Sequence, residues 1–203
     1  MHLSPTRDSD GDDGAEGRAD APPRSLTRRQ LEELIEDRNA RFDALSPAER
    51  RMAIARDVLD QLCTGRMQAK RGIYVGEREG GDTDVDADAQ VVADDPYLKC
   101  TVCAIGSAVT SAVRLFDRAP QKTSLPSLSC TGMRDEYLSR FFSRGQQALM
   151  EAAFEMSDIC GLAPFMTLGV KKAVEFGLRH KTDAARMRAI WRNVLENGGT
   201  FVP

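Results

Sequence analysis

The sequence predicts a mainly α-helical fold, in which a single compact multi-helix bundle with a short β-hairpin follows a disordered acidic N-terminal tail. First, apolar residues recur at spacings of three and four along most of the chain after residue 25, as on amphipathic helices. Second, a Ser or Thr followed three residues later by Glu or Gln, the capping-box pattern, precedes three of these segments. Third, 41% hydrophobic and 29% charged residues in a chain of 203 are typical of one ordinary globular domain.

The first 24 residues differ in composition from the rest. They hold three Arg against six acidic residues, together with Pro22 and Pro23, and almost no apolar side chains. Such a segment cannot offset the entropy that ordering would cost. We therefore expect a disordered acidic tail over 1–24 and a helical domain over 25–203.

Two capping boxes predict where the first helices begin. They are Thr27 with Gln30 and Ser46 with Glu49, and Gly65 is a typical stop for the second helix. Residues 72–76 then read Gly-Ile-Tyr-Val-Gly, which favours a short strand or one arm of a hairpin. An acidic flexible loop is expected over 77–95.

The segment 97–116 is predicted to be the central helix of the bundle. Asp95 and Pro96 suit its start. Apolar or small residues cover all of its sides, which indicates a helix buried on every face. Its apolar positions include Val102, Ile105, Val109, Ala112 and Phe116.

Further helices follow a loop at 118–132. They are predicted at 133–142, 144–157, 166–179 and in a last segment that begins after Thr182. Ser143 with Gln146 is the third capping box, and Asn197-Gly198-Gly199 is a strong stop signal.

The charged residues are unevenly distributed. Outside 1–24 and 77–95 the chain holds 24 basic and 17 acidic residues, although its net charge is −3. One interpretation is a solvated surface with acidic loops that aid solubility. The other is a basic face for an acidic partner, partly masked by the tail.

The apolar segments and the cysteines indicate a cellular compartment. No run approaches the roughly 20 apolar residues that span a bilayer, and the start of the sequence lacks a signal peptide's apolar stretch. The five cysteines are an odd number and are scattered through the sequence. We expect a cytoplasmic protein with reduced thiols and no membrane association.

Cys100 and Cys103 are the first candidates for a site. Thiols at this spacing can share a zinc ion or form a redox pair, but a structural zinc needs four ligands and no second close pair exists. The pair is predicted to lie inside the central helix, where packing as small core residues is the favoured interpretation. Zinc remains an alternative cofactor.

The second candidate is a polar stripe on the helix that follows Ser143. Gln147, Glu151, Glu155 and Asp158 recur at spacings of four, four and three, whereas apolar side chains cover most of the other sides. Two carboxyls so placed can divide acid and base roles or bind a ligand, with Cys103 nearby. The alternative is that this stripe is the solvent side of a core helix.

Other enzyme classes find little support. Only His2 and His180 are present, and no Walker A loop or Gly-rich dinucleotide fingerprint occurs. Nucleic-acid binding could use the basic final third of the chain, through Lys171, Lys172, Arg179 and Arg186.

Three segments carry a resemblance. Cys103-Ala-Ile-Gly-Ser, the segment from Phe142 to Glu155 and that from Met187 to Pro203 resemble small uncharacterised helical proteins of phages and bacterial mobile elements. The likeness covers about 48–203. It implies a bacterial or phage setting, in which such proteins act by binding a host component, and it carries no activity.

We therefore predict a non-enzymatic protein that binds another macromolecule, most simply a protein, as a phage-related host-interaction or defence-linked factor. The alternatives are an enzyme or small-ligand binder that uses Glu151 and Glu155, and a zinc-stabilised or nucleic-acid-binding module. The sequence does not indicate the oligomeric state.

Overall fold

Helices dominate the architecture, as predicted. The computed structural model describes residues 28–77, 85–86, 99–116, 137–156 and 167–203. Its helices are α1 (Arg28–Ala44), α2 (Pro47–Thr64), α3 (Ala104–Phe116), α4 (Arg144–Glu155), α5 (Leu168–Leu178) and α6 (Asp183–Glu196), with a 3-10 turn at Leu138–Arg140. The predicted tail at 1–24 and most of the predicted acidic loop lie outside the described residues.

A small mixed sheet accompanies the helices. Its strands are β1 (Met67–Ala69), β2 (Val75–Glu77), β3 (Val85–Asp86) and β4 (Cys100–Val102), in the order β1-β4-β2-β3. β4 runs parallel to β1 and antiparallel to β2, while β2 and β3 pair as a hairpin. The strand predicted at 72–76 is confirmed only at Val75 and Gly76, and β1, β3 and β4 are additional.

α3 lies at the centre of the fold. Every residue from Ala104 to Val113 is buried, as is Phe116, and the helix packs against α1, α2, α4 and the sheet. The predicted burial is confirmed, but the predicted start near residue 97 is wrong. Cys100–Val102 is a strand because its backbone groups pair with β1 on one side and β2 on the other.

Local capping fixes the ends of α2. Ser46 accepts a hydrogen bond from the Glu49 amide while the Glu49 carboxylate accepts one from the Ser46 amide, and Gly65 ends the helix at a φ of 75°. This capping box was predicted. Asp57 of α2 pairs with Arg114 of α3, which ties the two core helices together.

The later helices agree with the sequence pattern in three cases out of four. α4, α5 and α6 begin and end within two residues of their predicted bounds. The helix predicted at 133–142 is wrong over its described part, where Leu138–Arg140 forms only one 3-10 turn. The Gln146 side chain does not complete its predicted capping box either, because its amide binds the backbone of Phe201.

Trp191 fills the space between α3 and α6. Its side chain is fully buried, and its indole Nε1 donates to Ser107 Oγ at 3.2 Å and contacts Met187 Sδ at 3.2 Å. The indole ring also packs edge-on against Phe142 at a centroid distance of 6.0 Å. These contacts join α6 to α3 and to Phe142 within the core.

Two glycines allow helices to approach neighbouring backbone. A Cβ on Gly106 of α3 would lie 1.6 Å from the Tyr74 carbonyl oxygen, just before β2. A Cβ on Gly177 of α5 would lie 1.9 Å from the Ala153 carbonyl oxygen of α4. Neither contact leaves room for a side chain, so both glycines set the spacing of their elements.

Among the helices that the structure describes, none combines the length and the apolar composition needed to cross a membrane.

Candidate functional site

Two of the four residues of the predicted polar stripe, Gln147 and Glu155, face the protein interior, and Asp158 lies outside the described residues. Gln147 is 2% exposed and its amide nitrogen donates to Ser139 Oγ at 3.2 Å and to the Phe142 carbonyl at 2.9 Å. These bonds fix the turn that leads into α4. Gln147 therefore does not face solvent and has a structural role, while Glu151 is half-buried.

Glu155 ends α4 in a buried position. Its side chain is 6% exposed, and both carboxylate oxygens accept from the Gly72 amide, at 3.3 and 3.2 Å. The pKa of Glu155 is raised from 4.5 to about 7, chiefly by burial and in part by the nearby charges of Glu151 and Asp183, while the Gly72 bond and Arg71 oppose the rise. The group therefore titrates near neutral pH.

A second carboxylate holds the same loop. Asp183, the first residue of α6, accepts from the Arg71 amide at 3.0 Å and pairs with Arg71 Nε at 2.9 Å. Two consecutive amides between β1 and β2 are thus bound by carboxylates from two helices. Chemically, this cluster docks the β1–β2 loop on the ends of α4 and α6 and can take up a proton.

Glu155→Gln should make the protein more stable at pH 8 and have little effect at pH 5. The folded pKa lies above the ordinary value, so the folded state holds this proton more tightly and the carboxyl's stabilising contribution is lost as pH rises from about 4.5 to 7. Glutamine resembles the protonated form at every pH. We expect a gain of about 1–2 kcal/mol at pH 8 by urea denaturation, because partial solvation reduces the full effect.

Glu196→Gln is the matched control, because Glu196 is exposed at the end of α6. The difference in unfolding free energy between Glu196→Gln and the unchanged protein should be the same at pH 5 and at pH 8. A Glu155→Gln effect that does not vary with pH would contradict the raised pKa.

The two candidate metal ligands lie at the junction of β4 and α3. Cys100 is the first residue of β4, and Cys103 directly precedes α3, where its thiol accepts from the Gly106 amide at 3.4 Å. The prediction that both lie inside a helix is wrong, because the strand and the helix meet between them. Burial raises the pKa of the Cys100 thiol to about 11, so it is unreactive at neutral pH.

Metal binding has no further support in the part of the chain that the structure describes, where no group of three or more His, Cys, Asp or Glu side chains could hold an ion. The Cys103 thiol, which was predicted to lie near the stripe, binds the amide of Gly106 in the first turn of α3.

The four basic candidates are divided between the surface and the interior. Lys171, Lys172 and Arg179 are exposed on or beside α5. Arg186 is 1% exposed, and its guanidinium donates to the backbone carbonyls of Gly177, Phe154 and His180. A phosphate cannot reach Arg186, so it does not belong to a nucleic-acid surface.

Sequence reasoning missed two exposed leucines on the same helix. Leu168 is 70% exposed and Leu178 is 62% exposed. At 100° per residue they fall on the same side of the helix as the cations. We call this side the α5 face; it consists of Leu168, Lys171, Lys172, Glu175, Leu178 and Arg179. The spacing alone could have grouped these residues, but it could not show which side of α5 faces water.

Comparison with known proteins gives no relatives. No protein-family model, curated protein or solved structure matches the chain. The resemblance to small phage and mobile-element proteins therefore stays a prediction.

Proposed function

We propose that this chain is a non-enzymatic binding protein that takes an acidic protein partner on the α5 face. The observation that carries the proposal is the exposure of Leu168 and Leu178 beside three cations. Exposed leucines on the same side of a helix as charged groups provide an apolar contact surrounded by charged residues. Protein interfaces commonly combine an apolar centre with a polar rim.

The leucines also favour a protein over a nucleic acid. Phosphate contacts require only cations, and their binding weakens steeply with salt. The α5 face carries three cations and the carboxylate of Glu175, which is a modest positive charge for a nucleic-acid surface. A partner with acidic residues around an apolar patch fits both features.

The setting is part of the proposal. A phage or mobile-element protein of this size would use such a face to bind a host component, in host interaction or defence. The carboxyls of Glu151 and Glu155 are not proposed as a ligand site, because Glu155 is already bound to the Gly72 amide.

Leu168→Asp with Leu178→Asp should abolish partner binding and leave the fold unchanged. Both side chains are largely exposed, so we expect a change of less than about 0.5 kcal/mol in unfolding free energy. Quantitative pull-down from bacterial lysate should show one or more proteins retained by the unchanged chain and reduced more than tenfold with the double variant, as expected for loss of about 1.4 kcal/mol or more.

The matched control is Arg56→Asp, which changes the net charge by the same amount at an exposed position of α2. It should retain the partner. Retention of the same proteins by the double variant would overturn the proposal. The second contrary outcome is binding of a 20-base-pair DNA duplex. If this binding is lost with added salt but is unaffected by the two leucine substitutions, the proposal is overturned in favour of a nucleic-acid function.

A further inference from the structure

Residues 200–203 lie in a groove between three helices and are bound there as a peptide would be. The Gln146 side chain of α4 donates to the Phe201 carbonyl at 3.1 Å and accepts from the Phe201 amide at 2.7 Å. The Asn193 side chain of α6 does the same for Val202, with both distances at 2.8 Å. Two carboxamides thus satisfy both backbone groups of two consecutive residues.

This arrangement resembles the edge of a β-sheet in its chemistry. A carboxamide has one acceptor and one donor side by side, like the carbonyl and amide that a neighbouring strand would offer. Recognition of this kind is independent of the side chains of the bound segment. Gln146 and Asn193 therefore form a backbone-reading pair that any extended peptide could satisfy.

Side-chain selectivity in the groove comes from Phe201. Its ring is buried and meets Phe176 of α5 edge-on, at a centroid distance of 5.2 Å. Val202, by contrast, is exposed. The groove therefore selects an aromatic residue at the first position and tolerates the next one.

The connection to α6 is short and sharply turned. Gly198 and Gly199 both have positive φ, at 61° and 88°, and the Gly199 carbonyl accepts from Arg51 Nε at 2.6 Å. The segment therefore leaves α6 through a turn, and its own bonds to Gln146 and Asn193 hold it in the groove.

We propose that the groove between Gln146, Phe176 and Asn193 is a peptide-binding site, occupied in this structure by residues 200–203, that accepts an extended segment with one anchoring aromatic residue from a partner protein. The chain's own segment occupies it at an effective concentration on the order of millimolar or higher, so a partner must displace it. The site shares no side chain with the α5 face, and its test is independent of the proposed function.

The test uses the full chain with Phe201→Ala, which removes the anchoring ring from the attached segment. The probe is the blocked hexapeptide Gly-Gly-Thr-Phe-Val-Pro, which copies residues 198–203. Calorimetric titration should show saturable binding to this variant and at least tenfold weaker binding to the unchanged protein. Adding Asn193→Ala should weaken peptide binding about 30-fold through the loss of two hydrogen bonds.

Two controls accompany this titration. Val202→Ala retains the Phe201 anchor and should bind the peptide as weakly as the unchanged protein, and a peptide with Ala in place of Phe should not bind. If Phe201→Ala unfolds the chain, the peptide should restore its circular dichroism spectrum. A folded variant that does not bind the peptide, or an unfolded one that the peptide does not rescue, overturns the proposal.

Discussion

Arg186→Met should lower the free energy of unfolding by about 3–5 kcal/mol, the range found when one partner of a buried charged network is removed. Arg186 is buried between the ends of three helical segments. Its guanidinium donates to the carbonyls of Phe154, Gly177 and His180 at 3.2, 3.2 and 3.0 Å, and to Asp183 Oδ1 at 2.9 Å.

The position of Arg186 explains the size of this effect. Carbonyls at the carboxyl ends of helices have no partner within the helix and carry partial negative charge. Arg186 satisfies such carbonyls at the ends of α4 and α5 together. Methionine fills similar volume but removes the side-chain donor of the Phe154 and His180 carbonyls, while the Gly177 carbonyl keeps its bond from the His180 amide. A buried acceptor that loses its donor costs more than the loss of the bond itself.

Arg188→Met is the matched control, because Arg188 is exposed two residues further along α6. It should change the unfolding free energy by less than about 0.5 kcal/mol. Arg186→Lys should recover only part of the loss, since an ammonium cannot reach the same set of acceptors. Equal effects of the two methionine substitutions in urea denaturation would contradict the network.

Gly106→Ala should destabilise the protein by about 3 kcal/mol or more. The added Cβ would lie 1.6 Å from the Tyr74 oxygen and 2.6 Å from its carbonyl carbon. Both atoms belong to the backbone, so either α3 or the start of β2 must shift. Overpacking of a dense core costs 1–3 kcal/mol or more, and here no flexible side chain can absorb the strain.

Gly145→Ala tests the same substitution where space is available. Gly145 lies in the first turn of α4, and its nearest neighbour would be Ser143 Oγ at 3.9 Å. Alanine has the higher helix propensity, so we expect a change between zero and a gain of about 1 kcal/mol. The measurement is thermal unfolding of both variants. If Gly106→Ala lowers the stability no more than Gly145→Ala does, the close approach of α3 to the Tyr74 backbone is contradicted.

The sequence predicted those parts of the fold that local chemistry determines. The starts of α2 and α6 followed from Ser46, Glu49 and Thr182, whose side chains bind amides within the same turn. The burial of α3 followed from its composition. The contacts that determine the helix starts lie within a few residues of one another. The burial of α3 requires only that its surface be apolar.

Features that depend on distant partners could not be predicted in this way. Cys100–Val102 is apolar and suits either a buried helix or a buried strand, and it became a strand because β1 and β2 bind both of its edges. Arg186 was predicted to belong to a basic nucleic-acid-binding surface, yet it is buried. Its spacing of four from Ile190 placed it on the apolar side of α6, and only the carbonyls of other segments explain why it lies there.

The sequence predicted which residues form the candidate site but not what surrounds them. Glu155 was singled out by spacing, but its burial depends on the loop at Arg71 and Gly72, more than 80 positions earlier in the chain. Gln146 was predicted to cap its own helix, yet it binds the backbone of Phe201. Long-range polar pairing of this kind has no signature in a single sequence.

The chain's single tryptophan gives all these experiments an intrinsic optical signal. Trp191 of α6 is shielded from water in the core, with its indole nitrogen bonded to Ser107 of α3. Its fluorescence should therefore lie at short wavelength in the native state and shift to the red as solvent enters the core. One emission spectrum, without any added dye, distinguishes a variant that has lost a surface contact from one whose core is no longer packed.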